Sequence, residues 1–276
     1  MTPRAALSSL PKHALLLVFV LVTLVPIYFL LVSSFKTQAE YISNPYGLPD
    51  DPTLSTLSEA FKGGDLLRWL GNSAIFTVGA VVLSTVIAAL AAYPIALLRW
   101  RPGPWLLTGL VALMVVPPIV LVIPLFQLMV DLDQINSYRG VIVVYTGLLL
   151  PFSTFLLASF FRTVPRELLE AGRLDGAGHF GIWSRIVLPL SLPALVTVAT
   201  VQALWVWNEV LIAVVFLQKE ELRTLMVGLS LFPGRFELNV PLLMAGMLWA
   251  TIPMLLLYVG GQRFFVRGLT AGATKG

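Results

Sequence analysis

Long apolar stretches alternate with polar ones along the whole of this 276-residue chain. A helix must offer about 20 consecutive, mostly apolar residues to cross the hydrocarbon core of a bilayer. Six stretches meet that length, at 13–32, 73–98, 105–130, 140–161, 188–217 and 241–261. Charged residues make up 12% of the chain, against about 25% in an ordinary soluble domain, so a solvated globular surface cannot be built from them. The pattern predicts an all-α polytopic transmembrane helical bundle with six transmembrane helices. Residues 1–12 precede the first span, 13–262 form the membrane domain, and 263–276 form a basic, Gly-rich tail.

Local signals refine the spans. Pro117, Pro118 and Pro124 predict that the third is kinked or broken, and Pro151 predicts an interruption in the fourth. Asn72 and Ser73 stand where they can cap the second, which Arg99, Arg101 and Pro102-Gly103-Pro104 end. The first span has a rival reading as a secretory signal, because Arg4 and Lys12 precede it. Its apolar run is too long for that, and no small-residue cleavage site comes after it.

The basic residues orient the bundle. With the N-terminus inside, Arg4, Lys12, Arg99, Arg101, Arg162, Arg166, Arg173, Arg185, Arg263, Arg267 and Lys275 lie on the inner side. Lys36, Lys62, Arg68, Arg139, Lys219, Arg223 and Arg235 lie outside. The excess of basic residues favours cytoplasmic N- and C-termini in a multi-pass protein. The polar segment 162–187 then faces the cytoplasm.

That segment carries the signals of a short helix. Thr163 and Pro165 mark a start, Glu167 puts an acid in the first turn, and Gly176 marks a stop, which predicts a helix over about 166–175. A helix this short is marginal in water by itself, so packing must hold it. Leu168, Ala171, Gly172 and Asp175 recur at i, i+3, i+4 and i+7, on one face whose small centre admits a close partner. Residues 178–187 predict a second short helix, and Pro189 marks the return to the membrane. A helix lying on lipid would want a bulky apolar face and a Lys/Arg-rich polar one, so the composition favours a protein partner.

Glu170-Ala171-Gly172-Arg173-Leu174-Asp175-Gly176-Ala177, with Ile186, Leu188, Pro189 and Pro193, resembles the EAA loop of ABC importer permeases. Trp207-Asn208-Glu209, Leu243-Met244-Ala245-Gly246 and the tail from Gln262 to Gly276 resemble the six-span carbohydrate permeases of the maltose-permease type. The resemblance implies a MetI-like permease fold with a cytoplasmic coupling helix, in a bacterial inner or plasma membrane. It implies ATPase coupling through Glu170, Ala171, Gly172, Asp175, Gly176, Ala177 and Pro189. It also implies four partner chains: a second, different permease, two ATP-binding subunits that hold ATP and Mg, and an extracellular sugar-binding protein. The second Ala of the motif is Gly172 here, a change that weakens a helix by about 1 kcal/mol.

Other chemistry is scarce. There is no cysteine, which excludes thiol catalysis and zinc–thiolate sites, and neither His13 nor His179 has a second ligand at metal spacing. No P-loop, nucleophile elbow or zincin motif occurs, so the chain is expected to bind no cofactor and catalyse no reaction of its own. A net charge of +4, well dispersed, does not suggest a nucleic-acid partner. Within the spans Gln127, Ser153, Trp205, Asn208 and Glu209 are candidates for a substrate path, with Thr154 and Gln202 beside them. Glu209 is the one acid inside a span, and two readings stay open: sugar contact, or structural pairing with a polar group. The rival to the importer reading is an autonomous secondary transporter, which wants internal repeats and a midplane coupling carboxylate. The sequence shows no repeat and offers only Glu209.

Overall fold

The computed structural model describes residues 3–62, 65–98, 100–231 and 239–273, with side chains between 12 and 262. These residues form helices and no strand. Four helices are long and apolar enough to cross a membrane: α1 (Pro3–Ser34), α4 (Asp65–Leu97), α7 (Tyr138–Phe161) and α14 (Val240–Ala273). Two bent pairs bring the number of candidate spans to six. One is α5 (Gly103–Leu113) with α6 (Pro118–Asp131), turned by 102°. The other is His179–Leu190 with α11 (Leu192–Asn208), turned by 74°. Shorter helices fill the connections: α2 (Gln38–Ser43), α3 (Ser55–Glu59), α8 (Arg166–Leu174), α9 (His179–Ile182), α10 (Leu188–Leu190), α12 (Leu211–Phe216) and α13 (Leu225–Leu231).

The break in the third span falls at Pro117 and Pro118. Pro117 is extended (ψ 133°), Pro118 opens α6, and Pro124 is carried inside it. Two expectations fail. α7 runs unbroken through Pro151, because losing one N–H is tolerable in a helix that neighbours pack against. α4 begins at Asp65 and passes through Asn72 and Ser73, which therefore do not cap it. Asn72 instead donates to the carbonyls of Glu221 (2.8 Å) and Arg223 (2.9 Å) and accepts from the Tyr138 hydroxyl (2.5 Å). Ser73 Oγ accepts from the Leu225 N–H (2.8 Å). The tail predicted at 263–276 continues α14 as far as Ala273.

The chain divides into two compact units. The first draws on Met1–Leu67 and Gly228–Ile252. In it the apolar face of α1 is bare, with Leu15 to Val25 mostly about half exposed or more. Beyond α1 the chain folds around Lys36, which is fully buried. Its ammonium donates to the carbonyls of Asn44 and Gly47, both at 2.6 Å, and its own carbonyl accepts from Thr56 Oγ1 (2.8 Å).

The second unit draws on Arg68–Val227 and Pro253–Gly276 and centres on α4, α7 and α11. It holds two apolar cores. One joins Ala88 to Ile95 of α4, Leu157 to Phe161 of α7 and Ala194 and Val198 of α11 with Leu169, Ile182 and Val187. The other joins Phe76 and Ala80, Val141 to Leu149, Val206 and residues of α6 and α12. On each of the three helices a polar residue lies between the two cores. Gln202 Oε1 accepts from Ser84 Oγ (2.7 Å) and Thr85 Oγ1 (3.4 Å), while its amide donates to Ser153 Oγ. This buried layer pins three helices together, as interhelical hydrogen bonds do in lipid.

Candidate functional site

Helix α8 starts where the extended Pro165 (ψ 132°) sets its direction, with Glu167 in its first turn and Arg173 in its last. Its end is a complete Schellman turn. The Ala177 N–H reaches the Gly172 carbonyl (2.9 Å), the Gly176 N–H reaches that of Arg173 (3.0 Å), and Gly176 has φ +81°. A side chain at 176 would force the left-handed region at a cost of about 1–2 kcal/mol.

The return to the membrane is not a plain helix. After α9, residues Trp183–Val187 form a π turn, closed by the Leu188 N–H on the Trp183 carbonyl. Pro189 has no N–H to offer an α-type bond there. The chain then turns at the buried Ser191 into α11. Trp183 Nε1 donates to the Ala89 carbonyl (3.2 Å), and the Tyr93 hydroxyl meets His179 Nδ1 (3.4 Å), so the loop is tied to α4.

The faces of α8 differ from expectation in one respect. Leu168, Ala171 and Asp175 are exposed, but Gly172 is buried with Leu169. Gly172 serves a close approach within this chain: a Cβ there would stand 2.7 Å from Ile186 Cδ1 and 3.5 Å from Ile182. Leu174 is 89% exposed and Phe180 72%, and with Leu168 and Ala171 they give this loop an uncovered apolar surface. Glu170 is exposed and Ala177 half-buried. The Gly172 packing makes a prediction. In an Ile186→Val background, Gly172→Ala is expected to stabilise the purified chain by about 1 kcal/mol through helix propensity. In the native background the gain should shrink or vanish, because Ile186 must move. Thermal unfolding of the four variants reads this non-additivity.

In the fifth span α11 stops at Asn208, and the chain resumes as α12 only at Leu211. Glu209 sits in the gap and caps the second piece. Oε1 accepts from the Ile212 N–H (2.7 Å), and Oε2 accepts from the Ala213 N–H (3.0 Å) and the Tyr145 hydroxyl (2.6 Å). The carboxylate is thus engaged by three donors, which supports the structural reading. Trp205 packs edge-on against Tyr145 at 6.0 Å. Of the path candidates, Ser153, Thr154 and Gln202 are buried between helices. Gln127, Trp205 and Asn208 are exposed.

A bundle of bent and discontinuous spans with a structured loop outside it is the architecture of a membrane transport subunit. The chain belongs to the family described as binding-protein-dependent transport system inner membrane component, whose model matches residues 84–270. It is similar to the melibiose/raffinose/stachyose import permease protein of Bacillus subtilis, with 34% identity over 91% of each chain. It is likewise similar to the sulfoquinovosyl glycerol transport system permease protein of Agrobacterium fabrum, with 35% identity over 92% of this chain and 89% of the relative. Among solved structures it matches a bacterial ABC transporter involved in import of the acidic polysaccharide alginate. That match has TM-score 0.83 and 24% identity, and covers 96% of this chain and 99% of the other. The inward-facing MetNI methionine ABC transporter also matches, with TM-score 0.55 and 19% identity over 74% of this chain and 95% of the other. These last two likenesses show the MetI-like permease fold. The family assignment sets the secondary-transporter reading aside.

Proposed function

We propose that this chain is one of two membrane subunits of an ATP-driven importer for a sugar or oligosaccharide. In this reading a separate ATP-binding subunit docks on α8 and Phe180, with both termini of the chain in the cytoplasm. The observation that carries it is the uncovered apolar surface of Leu168, Ala171, Leu174 and Phe180 on a loop that is rigidly capped at Gly176 and tied to α4. A surface apolar cluster on a fixed element outside the spans fits a docking partner. Similarity to oligosaccharide and glycoside permeases supports the substrate class.

Coupling follows from the connectivity. ATPase closure would carry α8, α9 and the π turn as a body, and the motion would enter α11 through Pro189 and the bend at Ser191. Trp205, Asn208 and Gln127 are then candidates for the path shared with a second permease, and an extracellular binding protein would deliver the sugar.

Leu174→Asp tests the docking. The side chain packs on almost nothing in this chain, so folding should be nearly unchanged. Loss of its burial against the partner, about 1.5–3 kcal/mol, should lower co-purification of the ATP-binding subunit at least about tenfold and abolish uptake of a labelled oligosaccharide. Unchanged association and uptake would remove α8 as the docking element. A C-terminal label that reacts with impermeant reagent outside intact cells would reverse the orientation.

A further inference from the structure

Beside α8 lies an open cavity of about 1040 Å³. One wall is the end of the span formed by α4, with Leu97 and the exposed Trp100. The other carries Arg162 and, from α8, Arg166, Arg173 and Glu170. None of the three arginines forms an ion pair among the described residues.

The helix has distinct faces. At about 100° per residue Arg166, Glu170 and Arg173 cluster on one face, Leu168 and Asp175 lie on the opposite one with Ala171 beside them, and Leu174 stands between, next to Glu170. The cavity lining includes none of Leu168, Ala171, Leu174 or Phe180, the apolar surface proposed as the ATPase dock. Its lining is amphipathic. Three guanidinium groups against one carboxylate leave a positive rim, and the wall beneath is the apolar end of a membrane helix. Guanidinium forks match phosphate oxygens in pairs. An exposed Trp at a span end is placed as an interfacial anchor. The volume is far more than a bare phosphate ion needs, and apolar side chains beside the rim are of no use to one.

We propose that this cavity holds the phosphate of an anionic phospholipid from the adjacent leaflet, with the lipid's glycerol and upper acyl carbons along the α4 wall. Basic pockets at the inner membrane surface bind acidic headgroups by this chemistry. The inference rests on the permease reading only for which leaflet supplies the lipid.

The test uses the full chain in phosphatidylcholine nanodiscs with and without phosphatidylglycerol, and reads retained lipid by native mass spectrometry. Phosphatidylglycerol should be retained selectively. Arg162→Gln and Arg166→Gln should each weaken that preference about fivefold. Glu170→Gln, which removes the opposing charge, should strengthen it; this keeps the test sharp if an arginine variant folds poorly. Retention indifferent to all three changes overturns the proposal. So does displacement of the lipid by soluble glycerol phosphate, which would make this a site for free phosphate. Expulsion of the lipid by an added ATP-binding subunit whose own affinity drops with the arginine changes would assign the cavity to the protein partner and overturn it as well. Failure of the permease reading itself would be seen with Leu174→Asp, which does not touch the cavity.

Discussion

Glu209→Ala is expected to destabilise the chain by about 3–5 kcal/mol, because it strands three donors at once in the membrane region. The Ile212 and Ala213 N–H groups and the Tyr145 hydroxyl have the Glu209 carboxylate as acceptor. A graded series makes the reading specific. Glu209→Gln keeps the size and one carbonyl but turns an acceptor into a donor, so it should cost about half as much. Tyr145→Phe deletes a donor together with its own need for a partner, and should cost about 1 kcal/mol. Thermal unfolding in nanodiscs ranks the three. A chain that keeps its stability after Glu209→Ala but changes its sugar preference would move Glu209 from the scaffold to the path.

Lys36→Met should have the second-largest effect, about 3–4 kcal/mol, and a local one. The substitution keeps the length and apolar stem of the side chain. It removes two charge-assisted bonds of about 1.5–3 kcal/mol each and leaves the Asn44 and Gly47 carbonyls without that donor. The segment 37–54 should open first, with faster amide exchange and proteolysis there, while α7 stays protected. Equal protection in both proteins would show that the turn holds itself. Lys36→Arg should not rescue, since a planar fork does not fit a cage built for a compact ammonium.

What the sequence disclosed was local chemistry. The start of α8 at Pro165, its stop at Gly176 and the break at Pro117-Pro118 are all written in residues that restrict their own backbone. The residues whose roles were misplaced are those whose partners lie far along the chain. Asn72 reaches Glu221 and Arg223, and Ser73 reaches Leu225, so their capping chemistry is spent on another segment. A hydroxyl in a span gives no sign of which way it points, so the sequence does not show that Ser153 meets Gln202. Gly172 reads as a small residue on an outer face only until Ile186 is known to cover it. Lys36 drew notice only as a charge on the outer side. One signal was available for it: a lone Lys just past the end of the first apolar stretch, leading into a polar segment with turn residues at Asn44 and Gly47.

The π turn at Trp183–Val187 also sets a phase. It holds one residue more than an α-helical turn would. Each residue of an α-helix carries about 100° of rotation and about 1.5 Å of rise. If the turn relaxed to α geometry, α8 and α9 would rotate by roughly a quarter turn relative to α10 and α11. α8 would then present a different set of side chains to its surroundings, with no change in α11 at all. The extra residue thus works as a dial setting between the 162–187 loop and the spans. The spacing from Gly176 to Pro189 therefore constrains this family member as tightly as the identity of any residue between them.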